Sequence, residues 1–489
     1  MNLLDTGKKT VCLILVLLGS SVDFRAFSQE VALYVTSKQG DRIASKPALR
    51  FKATPSHSES GFRLDDSTAF QKIDGFGASL LEAGPICLDS LDAPARETVF
   101  RALFDPQQGA GFSAMKTVIA ATDFQSAGPY YTYDDVPGDL SLVHFSINRD
   151  LKPDGLVPYI KHARQYGNFV LQAPMDYPPD WMLFDVNKNQ DVNPRYFPVL
   201  AQYYLHYLRE YEKNGIFIDY LSPFNEPDQP NNYTQIPVEK IRDLVRDYVG
   251  PLFVKEGVKT KIQVCDFGSR DRALRGVPVI LGDPQARKYV GSISYHGYGF
   301  EDYDKIAALH RKYPDLPIWM TEVDHSYGTD TPRSKPLPRY DYADGDFWGN
   351  QIFSDLESGA SAWIYWNMIL DEKGGPYLLS EVHGDGPNNF QHPVVIIDRQ
   401  TRQVTYTGLY YYLAHFSKFV RPGAYRIRTQ GRAEGVRCLA FKSPGGQMVA
   451  EVLNSRTRPV KTELHWQGKV LEIALPALSI TTCAWRREP

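Results

Sequence analysis

Short apolar runs of strand length alternate with helical segments eight times between about residues 73 and 366. The runs lie near 73–78, 112–119, 169–173, 217–221, 262–265, 293–296, 318–321 and 362–366. Most of the gaps carry helical periodicity, as in 196–211, 241–254, 303–313 and 347–356. Eight strand-helix units predict an α/β fold, a (β/α)8 TIM barrel, expected here over residues 67–404. Outside that stretch the period changes to two. Residues 31–36 and 49–53 alternate apolar and polar, as do 425–428, 436–441, 448–453, 461–466 and 480–485, with turn residues such as Pro444-Gly445-Gly446 between them. The later set predicts an all-β sandwich over 405–489. Residues 29–66 hold too few strands to bury a face alone, so they are expected to complete that sandwich.

Residues 1–28 differ from the rest. Lys8-Lys9 precedes an apolar run from Val11 to Leu18, and Gly19-Ser20-Ser21 and Ala26-Phe27-Ser28 follow. The run is too short to span a bilayer and has the layout of a secretory signal peptide, so a secreted or periplasmic protein without stable membrane insertion is expected. Loss of Lys8, Lys9, Arg25, Asp5 and Asp23 with this segment takes the formal charge from −3 to −4. A weakly acidic chain has no electrostatic case for binding nucleic acid. Cys87, Cys265, Cys438 and Cys483 are widely spaced and form neither a zinc pattern nor a disulfide framework. Aromatic residues reach 13%, with 30 tyrosines, which suits a site that stacks on sugar rings.

Two of the eight runs end in an acid. Ile216 to Leu221 leads into Asn225-Glu226-Pro227, and Leu316-Pro317-Ile318-Trp319-Met320-Thr321 leads into Glu322. In a parallel barrel the active site gathers at the carboxyl ends of the strands, so Glu226 closing strand four and Glu322 closing strand seven would face each other across the mouth. Two facing carboxyls are the equipment of glycoside hydrolysis. About 5–5.5 Å between them suits a covalent, retaining route and roughly 6.5–9.5 Å an inverting one.

Further segments carry a family resemblance: Ile73-Asp-Gly-Phe-Gly-Ala-Ser79, Asp123-Phe-Gln-Ser126, Tyr131-Thr-Tyr-Asp-Asp135, Asn225-Glu-Pro227, His296-Gly-Tyr298, Trp366-Asn367 with Asp371-Glu-Lys-Gly-Gly-Pro376, and His415-Phe-Ser-Lys-Phe-Val-Arg-Pro-Gly423. Together they resemble glycoside hydrolase family 30, the family of glucosylceramidases and bacterial β-1,6-glucanases, over nearly the whole chain beyond residue 28. The resemblance implies that Glu226 is the acid/base and Glu322 the nucleophile. It further implies that Asn225 bonds the sugar 2-hydroxyl, that Asp123 accepts from hydroxyls at the far edge of the ring, that Tyr298 orients the nucleophile with His296 nearby, and that Trp366 is the stacking platform. Lys116 and Trp181 would border the same subsite. Lys116 stands where the family usually has arginine, Met175 where it usually has tryptophan, and Gly297 where it usually has a bulky residue, so the sugar need not be glucose.

Other chemistries find no support. Gly75-Phe76-Gly77 lacks the third glycine of a dinucleotide loop, and no His-Glu-x-x-His or Gly-x-Ser-x-Gly occurs. No cofactor and no metal are expected. The sequence therefore points to a secreted, retaining β-glycosidase acting on a glycolipid or a β-linked oligo- or polysaccharide. The alternative is a carbohydrate-binding protein of the same fold that has lost activity, and the departures at Lys116 and Met175 motivate it.

Overall fold

The computed structural model describes residues 29–53, 61–185, 191–228, 235–299, 301–324, 343–380, 383 and 389–487. The expected signal segment, 1–28, lies outside the described residues. All eight predicted strands form, and they close into a parallel barrel: Gly75–Ser79, Ala114–Lys116, Val170–Pro174, Tyr220–Ser222, Lys261–Phe267, Val290–His296, Ile318–Glu322 and Ala362–Asn367. Inside the barrel Ala114, Tyr220, Trp319, Ala362 and Ile364 pack as one cluster, and the Trp319 indole N–H donates to Asp74 at 2.8 Å. The bulk of this ring fills a barrel whose neighbouring strands carry small residues at the same level. The main core lies between strands and helices, where the apolar faces of Phe197–Lys213, Arg270–Leu281 and Gly408–Phe419 are buried.

Two boundaries differ from the sequence expectation. The strand Gly61–Lys72 runs past residue 66, because its outer half pairs with Tyr425–Arg432 of the sandwich before the chain turns into the barrel at Ile73. The helix Gly408–Phe419 lies beyond residue 404 yet packs on the first barrel strand, Phe76 against Phe416 at 5.6 Å, so it is the barrel's closing helix. Strand four also stops early. Pro223 has no N–H for the ladder, so the strand ends at Ser222 and Glu226 stands on the loop beyond it.

Ten further strands among the described residues hydrogen-bond in one order. Glu30–Ser37 lies between Ala44–Arg50 and the final strand Ser479–Arg486. The long strand Gly61–Lys72, with its register shifts, joins Tyr425–Arg432 on one side to Val460–Trp466 on the other. The sheet's two halves share a core in which Phe51, Trp466 and Trp485 meet at 5.4–5.7 Å. Amino-terminal and carboxy-terminal strands thus make one sandwich. A small sheet of Ile369–Asp371, Val395–Ile397 and Val404–Tyr406 follows the eighth barrel strand. Among the described residues no helix is long and apolar enough to cross a membrane.

Candidate active site

Glu322 is the last residue of the seventh strand and is buried. Three donors surround its carboxylate. Lys116 Nζ, from the end of the second strand, lies 2.7 Å from Oε2; Tyr298 Oη donates to Oε1 at 2.9 Å; His296 Nδ1 lies 3.3 Å from Oε1. Lys116 is fully buried, donates also to Asn225 Oδ1 at 3.0 Å, and sits 4.5 Å from the centre of the Trp366 ring. Burial alone would depress its pKa, but Glu322, Asp266 and Asp176 outweigh that and hold it above the ordinary lysine value, so it is an ammonium. Burial, with the acids around it, lifts the Tyr298 phenol well above its ordinary value, so it remains a donor.

Glu226 has a left-handed backbone, φ 45°, and its N–H donates to the Asp266 carbonyl at 3.0 Å. Asp266 is left-handed too, φ 46°. Such conformations are costly for residues with a Cβ and persist where the surroundings fix them. Here they turn the Glu226 side chain back over the mouth, where Oε1 lies 2.7 Å from His296 Nδ1. On its other edge His296 faces Asp266, Nε2 to Oδ1 at 3.6 Å, an ion-pair contact too long for a hydrogen bond. Burial opposes charge on this ring, but Glu322, Asp266 and Glu226 prevail and raise its pKa to about 10. Asp266 is held below its usual range despite burial, by His296 and Lys116, and also accepts from Thr321 and, at 2.9 Å, from Gln172.

Glu226, His296 and Glu322 each offer one atom within 4.8 Å of the other two. Nearest oxygens of the two glutamates are therefore no more than 4.8 Å apart, close to the short spacing of a retaining site. The same trio has the spacing of a metal-ligand set, but the His296 imidazolium and the Lys116 ammonium already supply two cations to these carboxylates.

The other expected residues are placed as follows. Asn225 has its N–H on the Met175 carbonyl at 2.8 Å and its side chain on Lys116, inside the cluster. Trp366 lies at the end of the eighth strand beside Lys116. Asp123 accepts from the Thr122 hydroxyl at 2.9 Å and from Asn389 Nδ2 at 3.0 Å. Trp181 donates its indole N–H to the Asp134 carbonyl at 2.9 Å and its ring meets Tyr196 edge-on, contacts that fix its loop. Met175 is fully buried behind Asn225, its sulfur 3.7 Å from Tyr204 Oη. Gly297 is a close-approach position, since a Cβ there would lie 3.1 Å from Val323 Cβ.

Sequence reasoning missed two carboxylates. Asp266 is the penultimate residue of the fifth strand, Lys261–Phe267, and belongs to none of the motifs that carry the resemblance. Asp176 lies two residues past the third strand, and burial pushes its pKa up to about 7 although Lys116 opposes this. It also missed the relay in which Asn389 carries Asp123 and accepts from Gln391 at 3.0 Å, with Gln391 accepting in turn from Asn367 at 2.5 Å.

A closed parallel barrel with two glutamates this close at its mouth, bracketed by cations and an aromatic platform, defines the barrel glycoside hydrolases. The model of the glycosyl hydrolase family 30 TIM-barrel domain matches residues 73–420 and that of the family's β-sandwich domain residues 423–483. The chain belongs to glycosyl hydrolase family 30, and it is a glycoside hydrolase of that retaining family. It is 28% identical over 453 residues to a putative glucosylceramidase 2 of Caenorhabditis elegans, covering 88% of this chain and 84% of that one. It is 26% identical over 481 residues to an endo-1,6-β-D-glucanase of Neurospora crassa, covering 91% and 95%. The crystal structure of SrfJ from Salmonella typhimurium shares the fold, with TM-score 0.85 at 22% identity, over 94% of this chain and 100% of that one.

Proposed function

We propose that the protein hydrolyses β-glycosidic bonds of a glycolipid or a β-linked oligo- or polysaccharide by double displacement, and that it does so outside the cytoplasm after loss of residues 1–28. The observation that carries this reading is the pair of glutamate carboxylates within 4.8 Å, differently furnished. Glu322 is braced by Lys116 and Tyr298, as suits an attacking oxygen that must not turn away. Glu226 shares a 2.7 Å contact with His296 Nδ1, close enough for the two groups to pass one proton between them.

In the first step a Glu322 oxygen bonds to the anomeric carbon as the bond to the leaving oxygen breaks, and that oxygen takes the proton from Glu226. In the second, water gives a proton to Glu226 and its oxygen replaces Glu322 at the same carbon. Asn225, held by Lys116, would meet the 2-hydroxyl, Trp366 the sugar face and Asp123 the distant hydroxyls. Relatives named as a glucosylceramidase and as an endo-1,6-β-glucanase support both substrate classes. Loss of activity is disfavoured because Lys116, in place of the family's usual arginine, still reaches both Glu322 and Asn225.

The test is a screen of aryl β-glycosides and β-1,6-linked glucans, with the first-formed anomer read by proton NMR. Release of the β-anomer is expected, and release of the α-anomer would sink the double displacement. With Glu226→Ala, azide should give the β-glycosyl azide; with Glu322→Ala, the α-azide. Swapped products would mean that the two roles are reversed.

A further inference from the structure

Beyond Glu226 the chain runs directly into a crevice of about 610 Å³, within the usual range of ligand sites. Pro227 and Asp228, the next two residues, form one wall; Phe267, which follows Asp266, and the helix Arg270–Leu281 form another. The walls are tied to each other: Gly268 N–H donates to Asp228 Oδ1 at 3.2 Å, and Arg272 Nη1 donates to the Asp228 carbonyl at 3.0 Å. The crevice is therefore fixed to the loop that carries Glu226.

Its side of the barrel identifies what it would hold. Lys116, Glu322 and Trp366 come from strands two, seven and eight, whereas the crevice lies beyond strands four and five, across the barrel from strands eight and one. A general acid protonates the oxygen between the sugar and its leaving group. With the sugar over Glu322, the leaving group must lie past Glu226, on the crevice side.

The lining then selects between the two substrate classes. Asp191 (paired with Lys240), Asp228, Arg272 and Arg275 (paired with Asp271) bring charges and Gln235 an amide, while Pro227, Ile236 and Phe267 offer apolar wall. An aliphatic tail laid here would desolvate these charges and return no hydrogen bond. Sugar hydroxyls both donate and accept, matching carboxylates and guanidinium groups at once, and the CH faces of a ring suit the proline and phenylalanine walls.

Resting on the function proposed above, we infer that this crevice is the leaving-group site and that its occupant is a saccharide, so that the substrate is a β-linked oligo- or polysaccharide rather than a ceramide glycoside. The test uses three probes of the sugar preferred in the screen: its β-glycosyl fluoride, whose leaving group is too small to reach the crevice, its β-linked disaccharides, and its ceramide glycoside in detergent micelles. Two variants alter the crevice without touching the carboxylate cluster, Arg275→Ala and Val238→Trp. Each should lower kcat/KM on the best disaccharide by about tenfold or more, as loss of a charged hydrogen bond or of the space requires, and leave the fluoride within about twofold of the unmodified enzyme. Unaltered disaccharide kinetics in both variants, equal losses on fluoride and disaccharide, or a higher kcat/KM for the ceramide glycoside than for every disaccharide would each overturn the inference. No turnover of any fluoride would overturn the proposed function itself, and this inference with it.

Discussion

Lys116 is the residue on which most of the site's charge balance turns. Its ammonium touches Glu322, Asn225 and the Trp366 face from a fully buried position, so water cannot replace it if it is removed. Lys116→Met should therefore lower kcat/KM on aryl β-glycosides by roughly a hundredfold, the scale of losing one preorganised electrostatic partner. Lys116→Arg keeps the charge but replaces a point charge by a planar fork, and should fall between the two in steady-state kinetics. His296 provides a test in stability. Its folded pKa, about 10, lies above the unfolded value near 6.5, so its contribution is complete below pH 6.5 and is lost as pH rises toward 10. The melting temperature of His296→Phe should trail that of the unmodified protein most below pH 6.5, with the gap closing toward pH 10; a gap constant with pH would refute the imidazolium. Of this cluster, Glu226 was legible from Asn225-Glu226-Pro227 beyond an apolar run, and Glu322 and Lys116 because each closes its strand. Asp266 and Asp176 were not, because an acid gains its partners only when barrel closure brings strands two, three, five and six together, and sequence spacing does not encode that.

Elements hold the site through their far ends as well as their tips. Arg270, the first residue of its helix, is buried; it donates to Asp355 through Nε and Nη2 at 2.8–3.0 Å, and through Nη1 to the Gly297 carbonyl at 2.8 Å. Tyr295 Oη and the Trp363 indole reach the same Asp355 at 2.8 and 3.1 Å. The helices that follow strands five and seven are thereby locked to strands six and eight, and the backbone between His296 and Tyr298 is held in place. Asp355→Ala would leave a buried guanidinium unpaired and should cost about 3–5 kcal/mol in urea unfolding. It should also depress kcat, because Gly297 carries two active-site neighbours. Retention of both stability and kcat would show that the lock does not hold the loop. The long amphipathic helices were readable because each carries enough residues for a period to show, and the barrel strands because each lies within an apolar run between such helices, even where only three residues pair, as in Ala114–Lys116 and Tyr220–Ser222. The helix expected from 241 to 254 is interrupted by a π-helical turn over Val245–Val249. The hairpin strand Lys469–Leu475, entered through Gln467 and Gly468 with φ of 49° and 72°, went unread, as did the three-residue strands of the small sheet. The three-residue strands have no period of their own, so their partners define them.

At the scale of the whole molecule, barrel and sandwich meet through a buried polar seam. His415, in the barrel's closing helix, places Nδ1 2.6 Å from Thr482 Oγ1 and Nε2 2.8 Å from Thr36 Oγ1, one hydroxyl from each end of the chain. Thr482 also donates to Glu451 at 2.7 Å, and all four side chains are buried. The motif around His415 was visible in the sequence, but its place at the junction was not, since Thr36 and Thr482 are hundreds of residues away from each other and look like ordinary strand residues. Burial lowers the His415 pKa to about 3 and raises that of Glu451 to about 8, so both are neutral in the folded protein near pH 6. The signs follow. An acid whose folded pKa lies above its unfolded value, 4.5, contributes most below pH 4.5 and progressively less as pH rises to about 8; a base whose folded pKa lies below 6.5 loses its contribution as pH falls from 6.5 toward 3. Glu451→Gln keeps an acceptor for Thr482 and removes the titration. The variant's melting temperature relative to the unmodified protein should therefore rise between pH 4.5 and 8 and level off above. His415→Gln should show the opposite trend, gaining on the unmodified protein as pH falls below 6.5. If the barrel unfolds separately from the sandwich, calorimetry should resolve two transitions and only the sandwich should respond to Glu451→Gln. A seam that makes one cooperative unit requires a single transition that shifts as a whole, because Thr36, Thr482 and His415 cannot keep their hydrogen bonds if either body opens alone.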